Sequence, residues 1–258
     1  MVAGSRLWLR LWMLAFTLTL LYPLTGLGAP VGPWQWDGGF PGSTVNAVKV
    51  SLVLTALALL LVIIAGTPVA YYLARREGVE RAVWEGAILL SVLLPPLALG
   101  ILLSLSFGPA SALGGWLARL GVGSSNSAPA FVATQFYVSA GYYVIAARAA
   151  FAAVPSELEQ AAGLLGLKPF WVFWRVTFPL ARLGLAAAAS LAWARALGEF
   201  GAVIVTAYYP SGMPVQIWIN LQQAGLPAVM PLLLIFLLSA LPLPWLIHLA
   251  ARRSAVDV

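Results

Sequence analysis

Six runs of mostly apolar residues divide this chain, at roughly 7–29, 45–74, 84–107, 128–150, 181–206 and 229–250. About twenty such residues carry a helix across the hydrocarbon core of a bilayer. With no water there, every backbone N–H and C=O must be bonded within the helix. Each run meets that length, and the second is long enough to tilt or protrude. The pattern dictates an all-α integral membrane protein with six transmembrane helices, in a single domain over residues 1–258. Composition agrees. The 258 residues are 62% hydrophobic and 9% charged, where a soluble domain carries about 25% charged residues. That leaves too little polar surface to coat a globule in water.

The connections between runs alternate in character. Arg6 and Arg10 precede the first run, "RREGVER" (75–81) follows the second, and Arg148 ends the fourth. Lys168, Arg175 and Arg182 precede or open the fifth, and Arg252 and Arg253 follow the sixth. The other connections, "APVGPWQWDGGFPGST", "GPASALGGWLARLGVGSSNS" and "YYPSGMPVQIWINLQQAGLPA", are rich in Gly, Pro, Ser and Trp and hold only Arg119, with Lys49 just inside the second run. The positive-inside rule makes the first set cytoplasmic. Both termini are then cytoplasmic, as six spans require. The net charge of +6 is thereby read as topology and not as a nucleic-acid surface.

The first run also has the basic start, apolar middle and small residues (Gly28-Ala29) of a signal peptide. Its apolar stretch continues through Leu27, long for a signal core, and the expectation is a retained span. Pro23, Pro68, Pro95, Pro96, Pro242 and Pro244 fall inside the runs, where proline frees a carbonyl and kinks the axis.

Several chemistries are excluded or unsupported. There is no cysteine, hence no disulfide, thiolate metal site or cysteine nucleophile. His248 is the only histidine and builds no ligand cluster. A phosphate-cradling loop needs Gly-Lys-Ser/Thr, and neither lysine, Lys49 or Lys168, follows a glycine. The eight carboxylates are mostly single, and no acid, histidine and nucleophile cluster marks a membrane enzyme.

One segment fits neither a span nor a flexible loop: "EQAAGLLGLKPFWVFWRVTFP", 159–179, within a cytoplasmic stretch 151–180. Pro155 suits a first helical turn, Ser156 a cap, and Glu157 and Glu159 the positive end of a helix dipole. Ala161, Ala162 and Gly166 give a small-residue surface. Phe170, Trp171, Phe173 and Trp174, beside Lys168 and Arg175, form an interfacial aromatic patch. Taken alone, the segment reads as an amphipathic piece lying at the membrane surface.

The spacing resembles the cytoplasmic loop of ATP-binding-cassette importer permeases. Their pattern is Glu-Ala-Ala, three residues, Gly, nine residues, Ile-x-Leu-Pro. Here Ala161-Ala162, Gly166 and Val176-Thr177-Phe178-Pro179 keep every interval, while Gln160 replaces the usual Glu and Glu159 stands one position earlier. "TPVAYYLARREG" (67–78), "LLPPLALGILLSLSFG" (93–108), "SAGYYVIAARAAFAAVPSELEQAAGLLG" (139–166) and "WARALGEFGAVIVTAYYP" (193–210) resemble permeases for molybdate and tungstate. "ARALGEFG" is shared with sulfate permeases, which leaves sulfate or thiosulfate as the alternative substrate.

The resemblance implies a type I importer permease fold. It implies a coupling helix at Glu159, Gln160, Ala161, Ala162 and Gly166, with Pro179 closing the motif, docked on a separate ATPase that binds ATP and Mg. It also implies two ATPase copies, a second copy of this chain, and an extracytoplasmic oxyanion-binding protein, in the cell membrane. Ala162→Asp or Gly166→Leu is then expected to abolish ATP-dependent uptake while leaving the spans inserted. From the residues alone, Arg195 and Glu199, four apart in the fifth run, share a helix face within pairing reach. They are either a neutralising structural pair or part of the path, with Ser190 and Thr206 as further lining groups. An ATP-independent channel is the remaining alternative.

Overall fold

The computed structural model describes residues 2–36 and 42–240, with side chains from Trp8 onward. His248, Asp37, Pro242, Pro244, Arg252, Arg253 and the end of the sixth run lie outside the described residues. Among those described there are helices and no strands.

Helix α1 (Val2–Leu21) continues into a 3-10 turn (Tyr22–Gly28). The core is a trio: α2 (Ser43–Ala74), α6 (Ala128–Ala152) and α9 (Phe178–Leu197). Their shared interior holds Leu59, Val62 and Ala70 from α2, Tyr143, Ala147 and Phe151 from α6, and Ala181, Ala188 and Ala192 from α9. Lipid gives no hydrophobic drive between spans, so association rests on close packing of small residues. Two glycines show how close. A Cβ at Gly66 would come 2.8 Å from the Tyr143 ring, and one at Gly184 would come 2.5 Å from Ala150 Cβ.

The run at 84–107 is not one straight helix. It forms α3 (Gly78–Leu93) and α4 (Pro96–Phe107), bent by 105°. Pro95 and Pro96 cause the break. Neither has an N–H, and the residue before a proline is driven out of the helical region. Leu94 and Pro95 accordingly sit at ψ 127 and 136. α3 is held to α6 by Glu85, which accepts a hydrogen bond from Arg81 of its own helix at 2.8 Å and pairs with Arg148 of α6 at 3.0 Å.

The run at 181–206 also differs from its expected bounds. It begins earlier, with α8 (Pro169–Val172) and a π-turn (Phe173–Thr177) leading into α9, so that apolar helix extends from Pro169 to Leu197. It then stops at Gly198, and α10 (Val203–Thr206) follows after a break. The π-turn lies one turn before Pro179, whose missing N–H and bulky ring open the i−4 ladder. The Phe178 N–H reaches back to the Phe173 carbonyl instead.

α5 (Ala112–Arg119) lies in the connection after α4, capped by Ser111 Oγ, which accepts the Gly114 N–H at 2.9 Å. The connection before the sixth run contains a helix of its own, α11 (Met213–Ala224), with buried Met213, Val215, Gln216 and Asn220. α12 (Leu226–Ala240) opens the sixth run. By length and composition, four described helical stretches can cross a membrane, or five if the bent pair counts as one. α12 is described for 15 residues before the description ends.

Candidate functional site

The segment expected to be cytoplasmic contains α7 (Ser156–Leu164). Pro155 takes the N-cap position and Ser156 the first helical one, and no side chain caps the helix. Ser156 is therefore not the cap its sequence position promised, because the proline already supplies the extended entry. The C-terminus is a Schellman turn: the Gly166 N–H bonds Gly163 O at 2.9 Å and the Leu167 N–H bonds Ala162 O at 3.2 Å. Gly166 has φ +91, a left-handed conformation in which a Cβ is strained.

The two alanines part company. Ala162 is 8% exposed and faces the chain's own interior, whereas Gln160, Ala161 and Gly163 face solvent. Leu164 and Leu165 beside them are 90% and 84% exposed. The exposed residues of α7 and its C-cap are thus Glu157, Leu158, Gln160, Ala161, Gly163 and the leucines 164 and 165. Ala162→Asp would bury a charge inside this chain and would not test docking, and Gly166→Leu would act through backbone strain.

Glu159 shares the inward face with Ala162. Arg75, at the C-cap of α2, grips it with a two-pronged fork: Nε donates to Oε2 at 3.0 Å and Nη2 to Oε1 at 2.6 Å. Buried Thr177, in the π-turn, donates its hydroxyl to Oε1 at 2.6 Å, and the Tyr71 hydroxyl lies 3.4 Å from Oε2. Burial pushes the carboxyl pKa up. The hydrogen bonds from Arg75 and Thr177 and the guanidinium charge outweigh it, and the net pKa lies below the ordinary glutamate value. The Tyr71 ring packs edge-on against Phe151 and Phe173, at 5.5 and 5.2 Å between centroids. One carboxylate therefore joins α2, α7 and the π-turn. The sequence placed Glu159 in the motif and left Tyr71, Arg75 and Thr177 unremarked as its partners. Pro179 is exposed and shapes the turn that brings Thr177 round.

At the C-terminal end of α9, Arg195 and Glu199 do pair, Nη1 to Oε2 at 2.5 Å. Arg195 also lies over the Tyr142 ring at 5.7 Å. Glu199 is 3% exposed, and its second oxygen accepts the Ala202 N–H at 2.6 Å. Its carboxylate thus satisfies a backbone group freed by the break after α9. Thr206 donates to Ala202 O at 3.0 Å and pairs with Thr134 of α6 at 2.7 Å. Ser190 is buried, and its hydroxyl has no partner. These four residues lie on α9, the break and α10, but share no common hydrogen-bond cluster. Gln135 joins them from α6: its Nε2 donates to Ala196 O at 3.1 Å, and its buried Oε1 has no partner. An amide in a span was a visible signal that the sequence reading passed over.

The backbone is tightly packed at the break. A Cβ on Gly100 of α4 would sit 2.8 Å from Ala202 Cα, and one on Gly201 would sit 3.0 Å from Pro96 Cβ. Among the described residues no group of His, Cys, Asp and Glu could hold a metal ion.

The described chain is a set of apolar helices with a clamped short helix, α7, and a break after α9. Comparison with known families gives the class. The chain matches the binding-protein-dependent transport system inner membrane component family over residues 66–256, and belongs to it. Among its relatives, a Haloferax volcanii protein named a "probable molybdenum ABC transporter permease protein" is 35% identical, covering 93% of this chain and 90% of the relative. The molybdenum transport system permease protein ModB of Mycobacterium tuberculosis is 33% identical, covering 83% of each chain. The molybdate/tungstate transport system permease protein WtpB of Pyrococcus abyssi is 28% identical, covering 75% of this chain and 73% of the relative. Of solved structures, a bacterial ABC transporter importing the acidic polysaccharide alginate superposes with a TM-score of 0.73 at 19% identity, over 96% of both chains. That likeness concerns the fold.

Proposed function

We propose that this chain is the membrane-spanning subunit through which a molybdate- or tungstate-class oxyanion enters the cytoplasm, driven by a separate cassette ATPase. The family supplies the permease class, and the names of the relatives supply the substrate class. The observation that carries the mechanism is α7. A helix with a small and leucine-rich outward face, held from behind by the Glu159 clamp, suits docking into a groove on a partner. Two ATPase subunits grip this face. ATP and Mg are bound there, where the phosphate-cradling loop absent from this chain is supplied. Closure of the ATPases turns the path outward and hydrolysis resets it, an alternating-access cycle. The whole chain acts as one permease domain in the cell membrane, with both termini cytoplasmic. An extracytoplasmic binding protein delivers the oxyanion.

A second copy of the chain completes the path. Two features support this. From Trp8 onward, α1 buries no side chain against the rest of the described molecule. An apolar groove of about 650 Å³ between α2 and α6, lined by Leu57, Leu61, Ile64 and Phe136 among others, is likewise open. In this setting Arg195 and Glu199 hold the break in place, and the weak polar groups Ser190 and Thr206 flank it.

The test is co-purification in detergent with a co-expressed cassette ATPase, reading ATP hydrolysis with and without a molybdate-loaded binding protein. Stable association and stimulated hydrolysis are expected, with tungstate effective and sulfate not. Failure to associate would overturn the permease mechanism, and stimulation by sulfate alone would overturn the substrate.

A further inference from the structure

The clamp around Glu159 does more than support α7. Resting on the reading of 155–166 as the ATPase handle, we propose that the Glu159–Arg75 fork is a transmission strut. It makes α2 move with the coupling helix, so that ATPase motion reaches the opposite face through α2. Glu159 and Arg75 are then positioning residues of the transport cycle and no part of the docking face.

Three observations carry this. First, both carboxylate oxygens are engaged inside the chain, by Arg75, Thr177 and Tyr71. A forked arginine–carboxylate pair fixes direction as well as distance. Second, residue 159 lies 84 positions from Arg75, and the covalent route from α7 back to α2 passes through α3 to α6. α7 itself packs against α8 and the π-turn, and the fork is what ties it to the end of α2. Third, α2 is continuous over 32 residues, about 48 Å at about 1.5 Å per residue. Near its far end Ser51 accepts the Met213 N–H, the first residue of α11, at 2.7 Å. Displacement at α7 therefore has a helical path, past Pro68 near its Arg75 end, to the elements before the sixth run. The route along α9 ends at the break after Leu197.

The test uses the full complex in liposomes, with the ATPase and a molybdate-loaded binding protein, and reads uptake per ATP hydrolysed. Glu159→Gln, Arg75→Lys and Arg75→Gln each keep ATPase association and hydrolysis while uptake per ATP falls by about tenfold, the scale of ordinary coupling energies. The reversed pair, Glu159→Arg with Arg75→Glu, recovers a large part of it. That recovery also decides the matter if a single variant fails to assemble, since a merely stabilising contact would restore yield and not the ratio. Unchanged uptake per ATP in the single variants would overturn the strut. So would loss of ATPase binding by a folded Glu159→Gln chain, which would return Glu159 to the docking face. If the unaltered chain binds no ATPase, the handle reading itself fails, an outcome separate from either.

Discussion

Glu159 shows how much one carboxylate can decide. Its native pKa lies below the ordinary value, so the sign of its pH linkage is fixed. The clamp contributes fully above the unfolded pKa of about 4.3. It is lost as pH falls through the lowered native value, and contributes nothing below both. Glu159→Gln should therefore be less stable than the parent at neutral pH by about 2 kcal/mol, the scale of hydrogen bonds to a charged group. Thermal unfolding in detergent should show that gap closing as the pH drops below the ordinary glutamate range, and a gap surviving well below both pKa values would show that the carboxylate is not what holds α7. The neighbouring alanines give a second contrast. Ala161→Trp, on the open face, should leave the melting temperature unchanged and block ATPase binding in a pull-down. Ala162→Leu, on the inward face, should destabilise by about 1–3 kcal/mol through overpacking. Sequence spacing located both alanines and Gly166. It could not separate inward from outward, because that depends on Arg75 and Thr177, whose places are set only once α2 and the π-turn have packed.

At the scale of elements, the unbroken spans α2 and α6 were legible because apolar continuity and helical continuity coincide there. Residues 84–107 and 181–206 are as apolar, but hydropathy does not register a backbone break. The adjacent Pro95-Pro96 pair, read as a kink, and the Gly198–Gly201 bracket around Glu199, not read at all, were the available signals. α11 was read as part of a connection because the stretch 208–228 is rich in Gly, Pro, Ser and Trp. Its burial depends on distant partners: Ser51 for the Met213 N–H, and Ala228 O, which accepts from Asn220 Nδ2 at 3.0 Å. The meeting of α4 with the break makes a direct prediction. Gly100→Ala brings a Cβ against the Ala202 backbone and should cost about 1–3 kcal/mol. Gly86→Ala on α3, with nothing within 4 Å, should be neutral or stabilising by up to about 1 kcal/mol from helix propensity. Thermal melts of the two variants in the same detergent separate packing from propensity.

For the whole molecule, the proposed orientation can be read with thiol labels, since the chain has no cysteine of its own. In intact cells, Trp116→Cys on α5 should react with a membrane-impermeant reagent and Leu165→Cys should not. In inside-out vesicles Leu165→Cys should react, and added ATPase should protect it. The opposite pattern would invert the topology. The exposure of α1 has a consequence of another kind. Trp8, Trp12, Met13 and Phe16 all face outward, so from Trp8 onward this helix buries nothing against the other described residues. Any fixed seat it takes on a second copy is set by mass action. Diluting the protein in detergent should therefore change the surroundings of Trp8 and Trp12 while the α2–α6–α9 core stays as it is. If the first helix sits on a second copy, its place depends on the sample's concentration, whereas the α2–α6–α9 packing is internal to the chain.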